Sequence, residues 1–177
     1  MFRGGGLIAE RQPRRETEWG ATEGYRRRNW VKIRFPLPPD ENAEAEWLWA
    51  QPIEDLQFRL KNTPLFVEGI GNEDVVEAVV DDVHKVLEFR RVVRGGGHST
   101  YRIALQPNAS TERSATLRAN LERRGCGIEG VSPRLFAIDI PPTTDIYEVY
   151  GLLNEGMAEG TWWFDEMHVG HALREKG

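Results

Sequence analysis

The chain has 177 residues, of which 40% are hydrophobic and 29% are charged, and its formal net charge is −5. This composition supplies enough apolar residues for a core and excludes a globally disordered chain. The longest apolar runs span only a few residues, which excludes a membrane-spanning helix of about twenty apolar residues. The first residues lack the apolar stretch of a signal peptide, and Cys126 is the single cysteine, so we expect a cytoplasmic protein without disulfides.

Charge is distributed unevenly along the chain. Residues 1–29 contain seven Arg and four Glu, a net charge of +3, so the remainder carries −8 of the total of −5. The low aliphatic content of residues 1–29 predicts a flexible basic leader, which could bind RNA or an acidic partner. The acidic remainder repels a phosphate backbone, so nucleic-acid binding by the folded part is disfavoured.

Residues 30–95 predict a β-rich half. Val31, Ile33 and Phe35 alternate with polar residues, the period-two pattern of a half-buried strand, and prolines end it. Four further segments show strand patterns separated by polar turns: 46–50, 56–60, 74–80 and 86–93. Five short strands at this spacing predict a small, curved antiparallel sheet or barrel.

Residues 96–177 change character after a run of three glycines. The patterns predict strands and helices in this order: a strand over 100–105, a helix over 110–124, a hairpin over 127–133, a strand over 134–140, a helix from Thr143 or Thr144 to Gly160, and a strand over 161–169. This is the order of a ferredoxin-like unit. The predicted fold class is therefore α+β, with a barrel half followed by a ferredoxin-like β-α-β-α-β half, as two units or as one compact domain over 30–177.

Five short segments also carry a family resemblance when they are taken in order: Val31–Leu37, Trp47–Ala50, Leu60–Phe66, Gly71–Val76 and Gly97–Arg102. In these segments the chain resembles a bacterial family of uncharacterised proteins, family 4265 of the domains of unknown function, from Trp30 to the end. The resemblance implies no established activity and assigns no functional residue. By analogy of fold alone, the second half is similar to small ferredoxin-like inhibitor proteins with an acidic, tryptophan-bearing last strand.

His98 and Ser99 are the first candidates for catalysis. Neighbouring residues of a strand point to opposite faces, so His98 is badly placed to serve Ser99 as a base, and the preceding glycines lack the Lys of a phosphate-binding loop. We therefore predict no catalytic residue. The same segment remains a candidate lining of a cleft between the two halves, through His98, Ser99, Tyr101 and Arg102.

Metal binding has weak support in the sequence. Glu166 and His168 would share one face of a strand and could ligate a metal together with His171, but such loose spacing is more typical of a surface ion pair. Cys126 is expected to be a buried or half-buried thiol. We predict neither a metal nor a cofactor.

Six tryptophans include two close pairs, Trp47 with Trp49 and Trp162 with Trp163. Trp162 and Trp163 are adjacent, so they face opposite sides of a strand, and at least one should lie outside the local core. The alternative is that structure on both sides buries both. The sequence does not determine which of the two is exposed. We take Trp163, which would then share a face with Asp165 and Met167.

An exposed Trp163 beside Asp165 and Glu166 is typical of a protein-binding hot spot that attracts a basic partner. We therefore predict a non-enzymatic interaction protein, similar to an inhibitor or immunity protein, that docks another protein through this acidic sheet face. The alternative is a small-molecule or peptide binder that uses the cleft between the halves. A further alternative is an enzyme of unfamiliar type that uses His98 or His168.

Overall fold

The computed structural model describes residues 29–39 and 43–174, so the predicted leader lies outside the described residues apart from Asn29. The α+β prediction is confirmed, since the described residues form nine strands and two helices. Their bounds are β1 Val31–Pro36, β2 Ala45–Glu54, β3 Gln57–Leu60, β4 Val75–Val80, β5 Leu87–Arg94, β6 Ser99–Leu105, α1 Thr111–Arg123, β7 Gly127–Ser132, β8 Leu135–Ile140, α2 Ile146–Ala158 and β9 Trp162–His168.

The first five strands form a closed barrel in chain order. Consecutive strands pair antiparallel, and β1 closes the barrel by pairing with β5 in parallel. Ile33, Leu48 and Leu60 point into the barrel and are fully buried, as the period-two pattern requires. The third strand starts one residue later than predicted, because Leu56 has a positive φ of 57° and forms the turn before it.

The last four strands form an antiparallel sheet in the order β7-β8-β6-β9. With α1 after β6 and α2 after β8, this is the ferredoxin-like arrangement. Ser110 caps α1 by accepting the N–H of Arg113, as the sequence indicated. The cap of α2 is Asp145 rather than Thr143 or Thr144, because Asp145 has extended backbone angles and accepts the N–H of Tyr147.

Both helices cover one face of this sheet. The core between them contains Tyr101, Ile103, Leu117, Leu121, Phe136, Ile138, Val149, Leu153 and Trp162. Tyr150 and Met157 have the helical spacing of the buried apolar residues of α2, but they are 41% and 38% exposed. Gly156 is buried instead, and a Cβ there would lie 1.9 Å from a ring carbon of Trp162. Because α2 places Gly156 against Trp162, Tyr150 and Met157 lie at the edge of the buried face of the helix.

The opposite face of the sheet contacts the barrel through residues 61–74, which connect β3 and β4. Thr63 donates its backbone N–H to Glu129 at 3.0 Å, and Asn72 donates its side-chain amide to Asp139 at 2.9 Å. Further along, Gly69 donates its N–H to the carbonyl of Met167. We call this polar contact region between barrel and sheet the junction.

Candidate functional site

The two adjacent tryptophans of β9 have opposite environments. Trp162 is 6% exposed under the helices, and its indole Nε1 donates to the carbonyl of Leu153 at 2.8 Å. Trp163 points to the other face of the sheet and is 56% exposed. An indole that exposed leaves a large apolar surface in water, which is the usual property of an aromatic residue that contacts another molecule.

Asp165 lies on the same face of β9 as Trp163. It accepts hydrogen bonds from Nε and Nη2 of Arg102 on β6, at 3.2 and 2.9 Å. The Asp165 side chain is 62% exposed, so the ion pair is a surface pair of small stability value. Arg102, whose side chain is half-buried at 22% exposure, therefore partly neutralises Asp165 within the sheet.

Glu166 lies on the helix-covered face, because neighbouring residues of a strand alternate. It accepts a hydrogen bond from the Tyr101 hydroxyl at 3.5 Å, and no ion pair joins it to any residue in 29–39 or 43–174. Burial, followed by the nearby Glu166 carboxylate, raises the pKa of Tyr101 far above its ordinary value, so the tyrosine stays protonated as the donor.

Met167 does not share the exposure of Trp163. The register between β6 and β9 shifts after the Tyr101–Glu166 pair, and Thr100 then pairs with His168, so Met167 has no residue opposite it. At this bulge Met167 is buried. The three predicted contact residues therefore occupy two faces, with Trp163 and Asp165 on one and Glu166 on the other.

The hydrogen-bond ladder shows which backbone groups of β9 are used. Gln106 donates its N–H to the carbonyl of Thr161 just before β9 begins. In an antiparallel pair of strands, every second residue directs its backbone N–H and C=O groups to the partner strand. Counting in twos from Thr161, the β9 residues that bond to β6 are Trp163, opposite Ala104, and Asp165, opposite Arg102.

Trp162, Phe164 and Glu166 therefore direct their N–H and C=O groups away from β6. β9 is the last strand in the sheet order, and no described strand pairs with its outer side. The contact of Gly69 with Met167 begins only beyond Glu166. We call the outer side of Trp162–Glu166, with its side chains, the open edge.

The residues predicted to line a cleft are instead engaged inside the protein. His98 Nδ1 donates to Asp139 at 2.7 Å, and the His98 side chain is 14% exposed. Ser99 is fully buried, and its Oγ accepts the N–H groups of Gly170 and His171. The same Oγ donates to His171 Nδ1 at 2.7 Å.

This arrangement makes Ser99 a poor nucleophile. Its oxygen is already surrounded by three hydrogen bonds, and it has no exposed surface for a substrate. His171 Nε2 lies 3.1 and 3.2 Å from the carbonyls of Pro141 and Thr144, which fixes the proton on Nε2. Ser99 and His171 therefore fasten the segment after β9 to the sheet, and the pair has the geometry of a structural contact.

Two further carboxylates that the sequence analysis did not single out are the half-buried Glu46 and the buried Asp139. Glu46 accepts the N–H groups of Leu65, Phe66 and Val67 at 2.7–3.0 Å and so fixes the loop after β3. Burial raises the pKa of Glu46, although these hydrogen bonds and Arg102 act in the opposite direction. Asp139 is a charged residue within an otherwise apolar strand, and this was the available signal for a buried polar contact.

Three buried polar atoms at the junction make no hydrogen bond to a described residue: Asn72 Oδ1, Thr100 Oγ1 and His168 Nε2. Thr100 pairs across the strands with both Asp139 and His168, so these side chains share one face of the sheet. His168 Nε2 lies 3.9 Å from Asp74 Oδ2, which is too long for a hydrogen bond. The junction is thus polar throughout but not completely paired.

A family model described as a domain of unknown function, DUF4265, matches residues 46–164. The chain belongs to this family. The match runs from β2 into β9, so it includes barrel strands, the junction and most of the open edge, and the resemblance stated from the sequence is confirmed.

Among solved structures, this DUF4265 protein is similar to a hypothetical protein from Neisseria gonorrhoeae, at 20% sequence identity and a TM-score of 0.68. The similarity covers 80% of this chain and 96% of that one. At this identity the likeness concerns the fold alone. A search of curated proteins gave no match.

The structure separates the three residues considered as metal ligands. Glu166 contacts Tyr101, and His168 and His171 have different neighbours at the junction and after β9. A different trio, Asp81, His84 and Glu88, brings its ligating atoms within 4.8 Å at the β4–β5 turn. Asp81 accepts the backbone N–H of His84 at 2.7 Å, and Glu88 accepts a hydrogen bond from the Arg34 guanidinium at 2.7 Å. These bonds account for the closeness of the three side chains without a metal.

Cys126 has the environment of an unreactive thiol. It is buried at the end of α1, and burial raises its pKa to about 11. At neutral pH it is therefore protonated and weakly nucleophilic. Neither of the two described helices combines the length and apolar character that crossing a membrane requires.

Proposed function

We propose that this protein is a non-enzymatic binding protein that holds an extended, basic segment of another protein at the open edge. The observation that carries the proposal is the exposed Trp163 on a strand whose outer backbone groups have no strand beside them among the described residues. Strand addition to a sheet edge gives affinity through main-chain hydrogen bonds and specificity through alternate side chains. The open edge supplies both elements.

Main-chain pairing would use the outward groups of Trp162, Phe164 and Glu166, which are spaced two residues apart. An added strand would therefore present alternate side chains to Trp163 on one face and to Phe164 and Glu166 on the other. Trp163 is the natural hot spot, because covering its indole removes a large apolar surface from water.

The basic character of the partner follows from the charges around the open edge. Asp165 and Glu166 lie on β9, and α2 contains Glu148 and Glu155 but no Lys or Arg. Positive side chains on the partner complement this surface and accelerate association. A second copy of the same chain is disfavoured as the partner, since pairing two β9 strands would bring two acidic α2 helices side by side.

The cleft alternative has less support. A binding cleft needs accessible polar groups, but Ser99 and Tyr101 are buried and His98 is paired with Asp139. The enzymatic alternative, through His98 or His168, meets the same difficulty, since His98 is paired with Asp139 and the His168 side chain is only 19% exposed at the junction.

The experiment is a parallel capture with the full chain, Trp163→Ala and Trp30→Ala as baits in extracts of the source organism. Trp30 is 39% exposed on the barrel and serves as the matched control. We expect a partner retained by the full chain and by Trp30→Ala but lost by Trp163→Ala. Calorimetry with the purified partner should then show binding weakened about 30-fold or more by Trp163→Ala, which corresponds to about 2 kcal/mol.

Strand addition itself is tested by Glu166→Pro. Proline removes one outward N–H without removing a hydrogen bond to β6, so folding should be retained while binding is weakened. Equal binding by the full chain, Trp163→Ala and Glu166→Pro would contradict the proposal. A partner that is neutral or acidic in its binding segment would contradict the proposed charge complementarity.

A further inference from the structure

A niche lies where α2 meets the open edge, and its walls are aromatic and acidic. The rings of Tyr150 and Phe164 meet edge to face at 5.5 Å, and the ring of Tyr101 stacks with Phe164 at 5.9 Å. Glu166 follows Phe164 on the same face of β9. Tyr150 is 41% exposed and Glu166 is exposed, so the niche opens to solvent.

The two acids of the open edge differ in how their charges are balanced. Asp165 has Arg102 as its cation at 2.9 Å. Glu166 has the neutral Tyr101 hydroxyl at 3.5 Å, and no described Lys or Arg forms an ion pair with it. A carboxylate attracts a cationic side chain by its charge, and a neighbouring aromatic ring attracts the same cation through its quadrupole.

The chain itself places a guanidinium on the neighbouring part of α2. The Arg174 guanidinium lies 4.8 Å from the ring centre of Tyr147, one turn before Tyr150. It also lies 3.3 Å from Asp145, and the Arg174 backbone N–H donates to the Tyr147 hydroxyl at 2.6 Å. The margin of α2 therefore already combines an aromatic ring and a carboxylate to hold one cation, and Tyr150 with Glu166 repeats that combination without one.

We infer that the niche of Tyr150, Phe164 and Glu166 binds a Lys or Arg side chain of the added strand. This inference rests on the proposed function, and it specifies which partner residues matter. A partner residue opposite Phe164 or Glu166 directs its side chain to the helix-covered face and into the niche. Its neighbours along the partner strand face Trp163. The recognised segment therefore carries a basic residue flanked by apolar residues.

The first test uses a small probe and does not depend on strand addition. The full chain is titrated with N-acetyl-arginine amide and, separately, with the citrulline analogue, which has the same shape without the charge. We expect the arginine probe to shift the NMR signals of the Tyr150 and Phe164 rings. The citrulline probe, and the arginine probe on Glu166→Gln, should leave them in place. Glu122→Gln, which changes an exposed carboxylate on α1 away from the open edge, is the control and should respond like the unmodified chain.

The second test selects linear peptides from a random display library on the full chain. We expect enriched peptides with a basic residue between apolar residues. Replacing that residue by citrulline or norleucine, or introducing Glu166→Gln, should each weaken binding about tenfold. Together the two changes should cost little more than either alone, because they remove the same contact. The control Glu122→Gln on α1 should change the Kd less than about twofold.

The outcomes separate the niche from the proposed function. Peptides that require Trp163 but no basic residue, together with no response to the arginine probe, would refute the niche and leave strand addition intact. Shifts from the arginine probe without any Trp163-dependent peptide would support the niche and contradict strand addition. Equal melting temperatures of Glu166→Gln and the full chain would show that the losses do not arise from unfolding.

Discussion

The junction and the open edge contain similar residues in opposite conditions. At the junction, Asp139 is buried, Glu46 and His98 are half-buried, and all three are hydrogen-bonded within the same chain. At the open edge, Trp163 is exposed, and within the described residues Glu166 accepts its hydrogen bond from the Tyr101 hydroxyl. His98, the first candidate for catalysis in the sequence, thus pairs with Asp139 inside the protein, and Asp139 also accepts the Asn72 amide from the loop between β3 and β4.

A residue of a chemically reactive type is therefore weaker evidence for function than an exposed apolar side chain that contacts within the protein do not explain. Ser99 has a histidine partner at 2.7 Å, yet it is enclosed by the bonds that hold the segment after β9. Trp163 has no special chemistry, but its exposure has no structural benefit within the described chain. Binding to another molecule gives that exposure a physical reason.

The largest expected effect separates the two tryptophans of β9. Trp162→Ala removes a buried ring and its hydrogen bond to Leu153, so we expect a loss of about 3–5 kcal/mol in the free energy of unfolding. Trp163→Ala should change it by about 0.5 kcal/mol or less. Urea titrations of both variants measure the contrast. Similar losses for the two would show that Trp163 belongs to the core.

The next comparison uses one residue type in both regions. Asp139→Ala leaves His98 and Asn72 without their acceptor at the junction, so we expect a loss of about 1–3 kcal/mol. Asp165→Ala breaks a surface pair with Arg102 and should cost less than about 1 kcal/mol. Chemical denaturation of the two variants checks the order. A larger loss for Asp165→Ala would reverse the assignment of structural and binding roles.

Local patterns explain why much of the fold could be predicted. The alternation of apolar and polar residues around Ile33 requires a strand with an inward and an outward face. Ser110 begins α1 by capping it with its side chain, and Gly125 follows the end of α1 with a φ of +86°. The exposure of one tryptophan in the pair at 162 and 163 follows from strand alternation. These features depend on residues that are close in sequence.

The junction could not be predicted because its contacts join distant residues. His98 and Asp139 are 41 positions apart, and Thr63 and Glu129 are 66 apart. The position of Met167 depends on a bulge in the β6–β9 register, which the sequence of β9 alone does not specify. The polarity of β8 at Asp139 indicated an unusual neighbour but not which loop supplies it.

The junction also predicts a dependence of stability on pH. Burial raises the pKa of Glu46 above its unfolded value of about 4.5, so between the two values the folded chain binds more protons than the unfolded chain. This contribution to stability is complete below the unfolded pKa and is lost as pH rises through the folded pKa. The free energy of unfolding of the full chain, minus that of Glu46→Gln, should therefore fall as the pH rises above about 4.5 and through the raised pKa of Glu46. A difference that rises with pH would contradict this environment for Glu46.

The smallest expected effect concerns residues 1–28, which lie outside the described residues. Their composition supplies few aliphatic side chains to offset an ordering cost of about 1–2 kcal/mol per residue. Deleting them should leave the melting temperature within a few degrees, and amide exchange at Phe164 and Glu166 should stay the same.

The net charge of +3 on residues 1–28, however, is the charge that the open edge is proposed to attract. Slower exchange at Phe164 and Glu166 in the full chain than in the truncated one would mean that this segment occupies the edge. In that case a partner would have to displace it, and the assignment of the edge to another protein would be wrong for the isolated chain. Unchanged exchange leaves the edge available and makes the contrast with the junction a property of residues 29–174 alone.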